Sequence, residues 1–165
     1  MAHHTYNVLF LSARNSVRSI LAEAILRKEG QGRFEVFSAG IQPTPSLNPL
    51  TLQVLQEAEY PTDGLHPKSR SDFLDPSAPA MDFVFTLCDK AGGEAPPQWP
   101  GQPITADWSI EDPSAVGGTE LQQKAAFITA QRYLKNRIVA FVALPITSLD
   151  QVSLTSRVRD IGQKS

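Results

Sequence analysis

Tyr6-Asn7-Val8-Leu9-Phe10-Leu11, then Ser12-Ala13-Arg14-Asn15-Ser16-Val17-Arg18-Ser19, then Ile20-Leu21-Ala22-Glu23-Ala24-Ile25 is the stretch on which the fold turns. Its first six residues are a short apolar, partly β-branched run without helical periodicity, the pattern of a strand buried on both faces of a parallel sheet. The run breaks at Ser12. From Ser16 onward Val17, Ile20, Leu21, Ala24 and Ile25 recur at three- and four-residue spacing, with Glu23, Arg27 and Lys28 on the other face, until Gly30 stops the helix. Arg33 to Ala39 alternates and ends at Gly40, a second strand that completes a βαβ unit.

Working outward, a Pro/Ser/Thr-rich turn, Gln42 to Asn48, precedes a helix expected from Pro49 to Glu59 with Leu52 and Leu55 facing inward. Met81 to Cys88 reads as a third strand, Gly92 to Gly101 as a loop and Pro103 to Ala106 as a fourth strand. Ala126, Ala130, Leu134, Ile138 and Phe141 predict a long helix from about Thr119 to Ala143, and Ser148 to Gly162 an added helix. The order implies an α/β fold: an open, mainly four-stranded parallel sheet flanked by helices on both faces, with ligands beyond the carboxyl ends of its strands. One domain, residues 1–145, followed by a helical extension, 146–165, is the expected organisation.

The net charge of −2 and pI near 5.9 provide no basic surplus for a nucleic acid or an anionic membrane. A single cysteine, Cys88, excludes an intrachain disulfide framework and a thiolate zinc cage and suits a reducing compartment, so the cytoplasm is the expectation. Val8 to Leu11 is too short for a signal-peptide core or a membrane span.

Between the first strand and the first helix, Ser12 to Ser19 can offer free backbone N–H groups and a helix dipole to an anion. Arg18 can present a planar fork to a tetrahedral oxyanion, while Asn15, Ser16 and Ser19 can brace the loop. The same residues also suit a plain polar connection.

The run Asn7 to Leu11 followed by Asn15-Ser16-x-Arg18-Ser19-Ile20-Leu21-Ala22-Glu23-Ala24 resembles the signature of the low-molecular-weight tyrosine phosphatase family, above all its thioredoxin-linked arsenate reductase branch. Phe37-Ser38-Ala39-Gly40, Asp89 with Gly93-Glu94, Trp99-Pro100-Gly101, Trp108 and Glu111-Asp112-Pro113 extend the likeness, in order, from about Tyr6 to Pro145. The resemblance implies a phosphotyrosine phosphatase I-like, flavodoxin-like three-layer architecture. It implies that Ser12, Ala13, Arg14, Asn15, Ser16, Val17, Arg18 and Ser19 bind phosphate, arsenate or sulfate. Within that loop Arg18 would contact the oxyanion, Asn15 would brace the backbone and Ser19 would lie beside the nucleophile. Ser38 would support the loop, Cys88 would match a family cysteine, and Asp112 would be the general acid. No metal and no cofactor are implied, apart from a thioredoxin-type or low-molecular-weight thiol reductant in an arsenate reductase; a phosphoprotein is a further possible substrate.

Where the family has its nucleophilic cysteine, this chain has Ser12. A hydroxyl without an adjacent base stays protonated where a thiolate would form, so binding without efficient turnover is expected. Pro96 stands where the arsenate reductase branch commonly has a further cysteine, and one thiol cannot form an intramolecular disulfide. Asp107 stands before Trp108 where this branch often has histidine, and Arg14 and Val17 occupy positions usually small, polar or cysteine. Arg14 adds positive charge or is a solvated loop residue; Trp99 and Trp108 suit packing better than site walls. His3 and His4 read as terminal surface residues. Three readings follow: an active phosphatase or arsenate reductase carrying an engineered Cys-to-Ser change, a degenerate relative that binds oxyanions without catalysis, and a pure interaction module.

Overall fold

The computed structural model describes residues 5–87, 99 and 101–163. Cys88, Pro96, His3, His4 and most of the Gly92 to Gly101 loop lie outside the described residues. Four parallel strands, β1 (Tyr6–Ser12), β2 (Phe34–Gly40), β3 (Phe83–Thr86) and β4 (Ile104–Asp107), form one sheet in the order β2-β1-β3-β4. The helices are α1 (Arg18–Glu29), α2 (Pro49–Glu57), α3 (Ser71–Leu74), α4 (Glu120–Val142) and α5 (Gln151–Gln163).

Burial of β1 on both faces explains its unbroken apolar run: Val8, Leu9 and Phe10 are all inaccessible to solvent. Val8 and Phe10 face a large cluster shared with α1, α2, α4 and α5. Leu9 and Leu11 face a smaller one with Ala39, Val84, Phe73 of α3, Met81 and Trp99. The two faces are therefore unequally covered among the described residues: the four longer helices share one face, and a one-turn helix lies on the other.

Phe85 and Trp108 stack with ring centroids 3.9 Å apart, and Phe141 of α4 meets both edge-on. The buried indole donates its N–H to the Val158 carbonyl at 2.8 Å. Leu154, Val158 and Ile161 of α5 thereby join the same core as the rest of the chain. Both tryptophans are packing residues in this structure. A capping box at Thr119 and Gln122 starts α4, and Asn48 caps α2 ahead of Pro49.

Leu55 of α2 is buried as its spacing predicts, but the inner face is centred on Thr51, Val54 and Leu55, which leaves Leu52 half-buried. Glu23, expected on the polar face of α1, is only 2% exposed, because Ser38 and the segment around Lys68 cover it.

Candidate functional site

At the carboxyl end of β1 the chain turns through Ser12 to Val17 into α1, and the carbonyls of Ser12, Ala13, Arg14 and Ser16 tie this loop to the β2–α2 connection. Ile41 N–H donates to the Ser12 carbonyl, Gln42 to Ala13 and Thr44 to Arg14, at 3.2, 2.8 and 3.1 Å. The end of β2 approaches so closely that a Cβ on Gly40 would lie 2.9 Å from the Arg14 carbonyl carbon and the Asn15 nitrogen. Only glycine fits there.

Asn15, wholly buried, holds a left-handed backbone (φ 51°) that its short polar side chain tolerates. Its amide group donates to Ser19 Oγ at 2.7 Å, and its carbonyl accepts from the Lys68 N–H at 2.7 Å. Ser12 Oγ lies 2.6 Å from Ser19 Oγ and accepts from the Asn15 N–H at 3.1 Å. Ser16 is tied down through its carbonyl, which accepts from Thr51 Oγ1 at 2.8 Å. Meanwhile the amides of Ala13, Arg14, Ser16 and Val17 have no protein acceptor among the described residues. Such a ring of unspent donors at a helix N-terminus is a nest for an anion.

Arg18 opens α1 and is 7% exposed. Its Nη1 donates to the carbonyls of Ile110 (3.1 Å) and Leu87 (3.4 Å), and its Nη2 lies 3.8 Å from Asp112 Oδ2. Asp112 also accepts from the Ser114 N–H at 2.9 Å and caps the 3-10 turn Pro113–Ala115. Two residues 94 positions apart in the chain, the loop arginine and the acid expected on a loop facing it, are thus neighbours in space. Ser12, Arg14, Asn15, Ser16, Val17, Arg18 and Asp112 line one cleft of about 450 Å³, together with Thr44, Ser46 and Asn48 of the β2–α2 connection.

Ser38 was expected to support the loop. Its hydroxyl instead donates to Glu23 Oε1 at 2.5 Å, so its link to the loop is indirect. Glu23 also pairs with Arg27, one turn on, and lies 3.7 Å from Lys68 Nζ. Burial lowers the Lys68 pKa below the ordinary lysine value, and the Glu23 carboxylate opposes that shift. The backbone of this same lysine anchors Asn15, which joins the buried ion network to the anion nest. Sequence reasoning missed Lys68, whose segment has no periodicity to mark it. It also missed Arg137 of α4, which donates to the carbonyls of Trp108 and Ser109 at 2.5 and 3.2 Å and so holds the segment after β4 that leads to Asp112. Burial lowers the pKa of that guanidinium.

A profile of the low-molecular-weight phosphotyrosine protein phosphatases matches residues 7–135, more than three quarters of the chain. The chain belongs to this family. Among relatives of this phosphatase-family chain, the glutaredoxin arsenate reductase of Synechocystis sp. is 29% identical over 136 residues, covering 82% of the chain and 95% of that protein. An arsenate reductase of Bacillus licheniformis is 31% identical over 135 residues, covering 81% and 93%. A solved arsenate reductase in its phosphate-binding state superposes with a TM-score of 0.70 at 28% identity, covering 84% of this chain and 98% of that one. A Vibrio cholerae low-molecular-weight phosphotyrosine phosphatase, 20% identical with a TM-score of 0.59 and covering 79% and 90%, shares the fold. The family match stops before α5, yet that helix is built into the core. Among the described residues no helix is long and apolar enough to cross a membrane, and no cluster of His, Cys, Asp and Glu suits a metal ion.

Proposed function

We propose that the loop Ser12 to Ser19 binds a tetrahedral oxyanion, phosphate or arsenate, and that serine at position 12 leaves this family member without efficient turnover. The observation that supports this reading is the convergence of the unspent loop amides, Arg18 and Asp112 on one cleft. An anion seated on those amides meets the guanidinium on one side and the carboxyl group on the other, the arrangement that binds a tetrahedral ester and protonates its leaving oxygen.

The chemistry stops at the first bond. Ser12 Oγ has two partners, the hydroxyl of Ser19 and the N–H of Asn15, and neither is a base. A thiol in that position would ionise readily, its thiolate stabilised by the loop donors, whereas a hydroxyl, with its far higher intrinsic pKa, stays protonated. Arsenate reduction further requires thiols that carry oxidation outward to a thioredoxin-type or low-molecular-weight thiol reductant, and this sequence has one cysteine.

Aryl-phosphate hydrolysis by the chain beside its Ser12→Cys variant, with Asp112→Ala in the cysteine background, tests the reading. Turnover that appears with cysteine and falls by about 10²-fold or more without Asp112 marks an intact phosphatase frame lacking only its nucleophile. An inert cysteine variant marks a site built for binding alone. Rapid turnover by the unchanged chain would overturn the proposal.

A further inference from the structure

Arg14 is left over from the chemistry just described. Its side chain is exposed and lines the cleft, and among the described residues it makes no hydrogen bond and no ion pair. The two loop arginines differ in this respect: Arg18 is committed to two carbonyls and to Asp112, so part of its charge is already answered. Arg14 also stands on fixed backbone, held by the Thr44 N–H on its carbonyl and by the close approach of Gly40. An unpaired guanidinium on a rigid base beside an anion nest is a planar donor fork with nothing yet to grip.

The cleft has room for more than the loop can hold. Its volume of about 450 Å³ falls within the range of roughly 300–1,000 Å³ typical of pockets that take whole small molecules. Beyond the loop its walls are the hydroxyls and amide of Thr44, Ser46, Asn48 and Ser114 with Leu47 and Pro49, and no aromatic ring is among the described lining residues. These walls suit a polar, hydrated ligand.

Building on the oxyanion reading above, we infer that Arg14 is a specificity-determining residue and that the ligand is a small phosphate compound bearing a second anionic group. The loop takes the first tetrahedral group, and Arg14 takes the neighbouring phosphate or carboxylate at the mouth of the cleft.

Calorimetric titration of the whole chain with inorganic phosphate and with inorganic pyrophosphate, at one pH and one low ionic strength, tests this. Pyrophosphate is expected to bind roughly tenfold more tightly, the worth of an added charge-assisted contact at an exposed site. Arg14→Gln should bring the ratio of the two affinities close to one, Arg14→Lys should restore part of it, and added salt should shrink it in the parent. A parent that binds both anions equally, or a ratio that Arg14→Gln leaves alone, would overturn the inference while leaving the oxyanion site standing. A folded parent that binds neither anion would remove the oxyanion reading and this inference with it.

Discussion

Replacing Asn15 with alanine should unseat the anion nest and destabilise the fold together. The side chain is wholly buried, and each half has a partner at 2.7 Å: the Lys68 N–H and the Ser19 hydroxyl. Stranding a largely buried amide costs about 1–3 kcal/mol, and loss of the bond to Ser19 costs about 1 kcal/mol more. Alanine also tolerates a φ of 51° less well than asparagine, a further penalty of about 1 kcal/mol. The expected loss is therefore about 3–5 kcal/mol, a large fraction of the stability of a domain this size. Urea unfolding at 25 °C measures it, with the slope showing whether the folded state keeps its compactness. Asn15→Asp separates folding from binding: it keeps an acceptor for Lys68, so stability falls less, but it puts a negative charge inside the nest and should suppress phosphate binding. An Asn15→Ala protein within about 1 kcal/mol of its parent, at unchanged slope, would refute the hydrogen-bond reasoning.

Three further outcomes are expected. Glu23→Gln should cost about 3–5 kcal/mol by leaving Lys68 and Arg27 without their buried counter-ion, and Lys68→Met in the same chain should return part of that in urea unfolding. A Cβ on Gly162 would meet the Asp107 carbonyl oxygen at 2.3 Å, whereas one on Gly117 has open space; Gly162→Ala should lower thermal stability by about 1–3 kcal/mol and Gly117→Ala by less than about 0.5. Hydrogen bonds from Ser77 and Ser153 lower the pKa of Asp75 and Asp150 respectively. As pH falls the unfolded chain takes up these protons first, so the stability these groups contribute above the ordinary carboxylate range is lost below about pH 4, as an acid titration followed by circular dichroism would record.

Much of this architecture is legible in the sequence because its signals are local. β1 is an unbroken apolar run since both of its faces are covered, and the spacing of Ile20, Leu21, Ala24 and Ile25 marks α1. A role for Asp112 could be read only through the family resemblance, because its contact with Arg18 joins the start of α1 to a turn 94 residues further along the chain. Glu23 was misassigned for an instructive reason: it shares a helical face with Arg27, and a polar face normally meets water. Here Ser38 and Lys68 cover that face, and nothing in the spacing of either residue announces it. The unequal covering of the sheet was equally invisible, since an unbroken apolar run shows that both faces of a strand are covered without showing what lies on each.

Titration of the chain with phosphate and arsenate, beside an Arg18→Lys variant of verified thermal stability, tests the oxyanion site most directly. Saturable one-to-one binding by the parent is expected, and at least about tenfold weaker binding by the variant, because lysine lacks the planar fork that two carbonyls and a tetrahedral anion share. A folded parent that binds neither anion, or a variant that binds both as well as the parent, would contradict it.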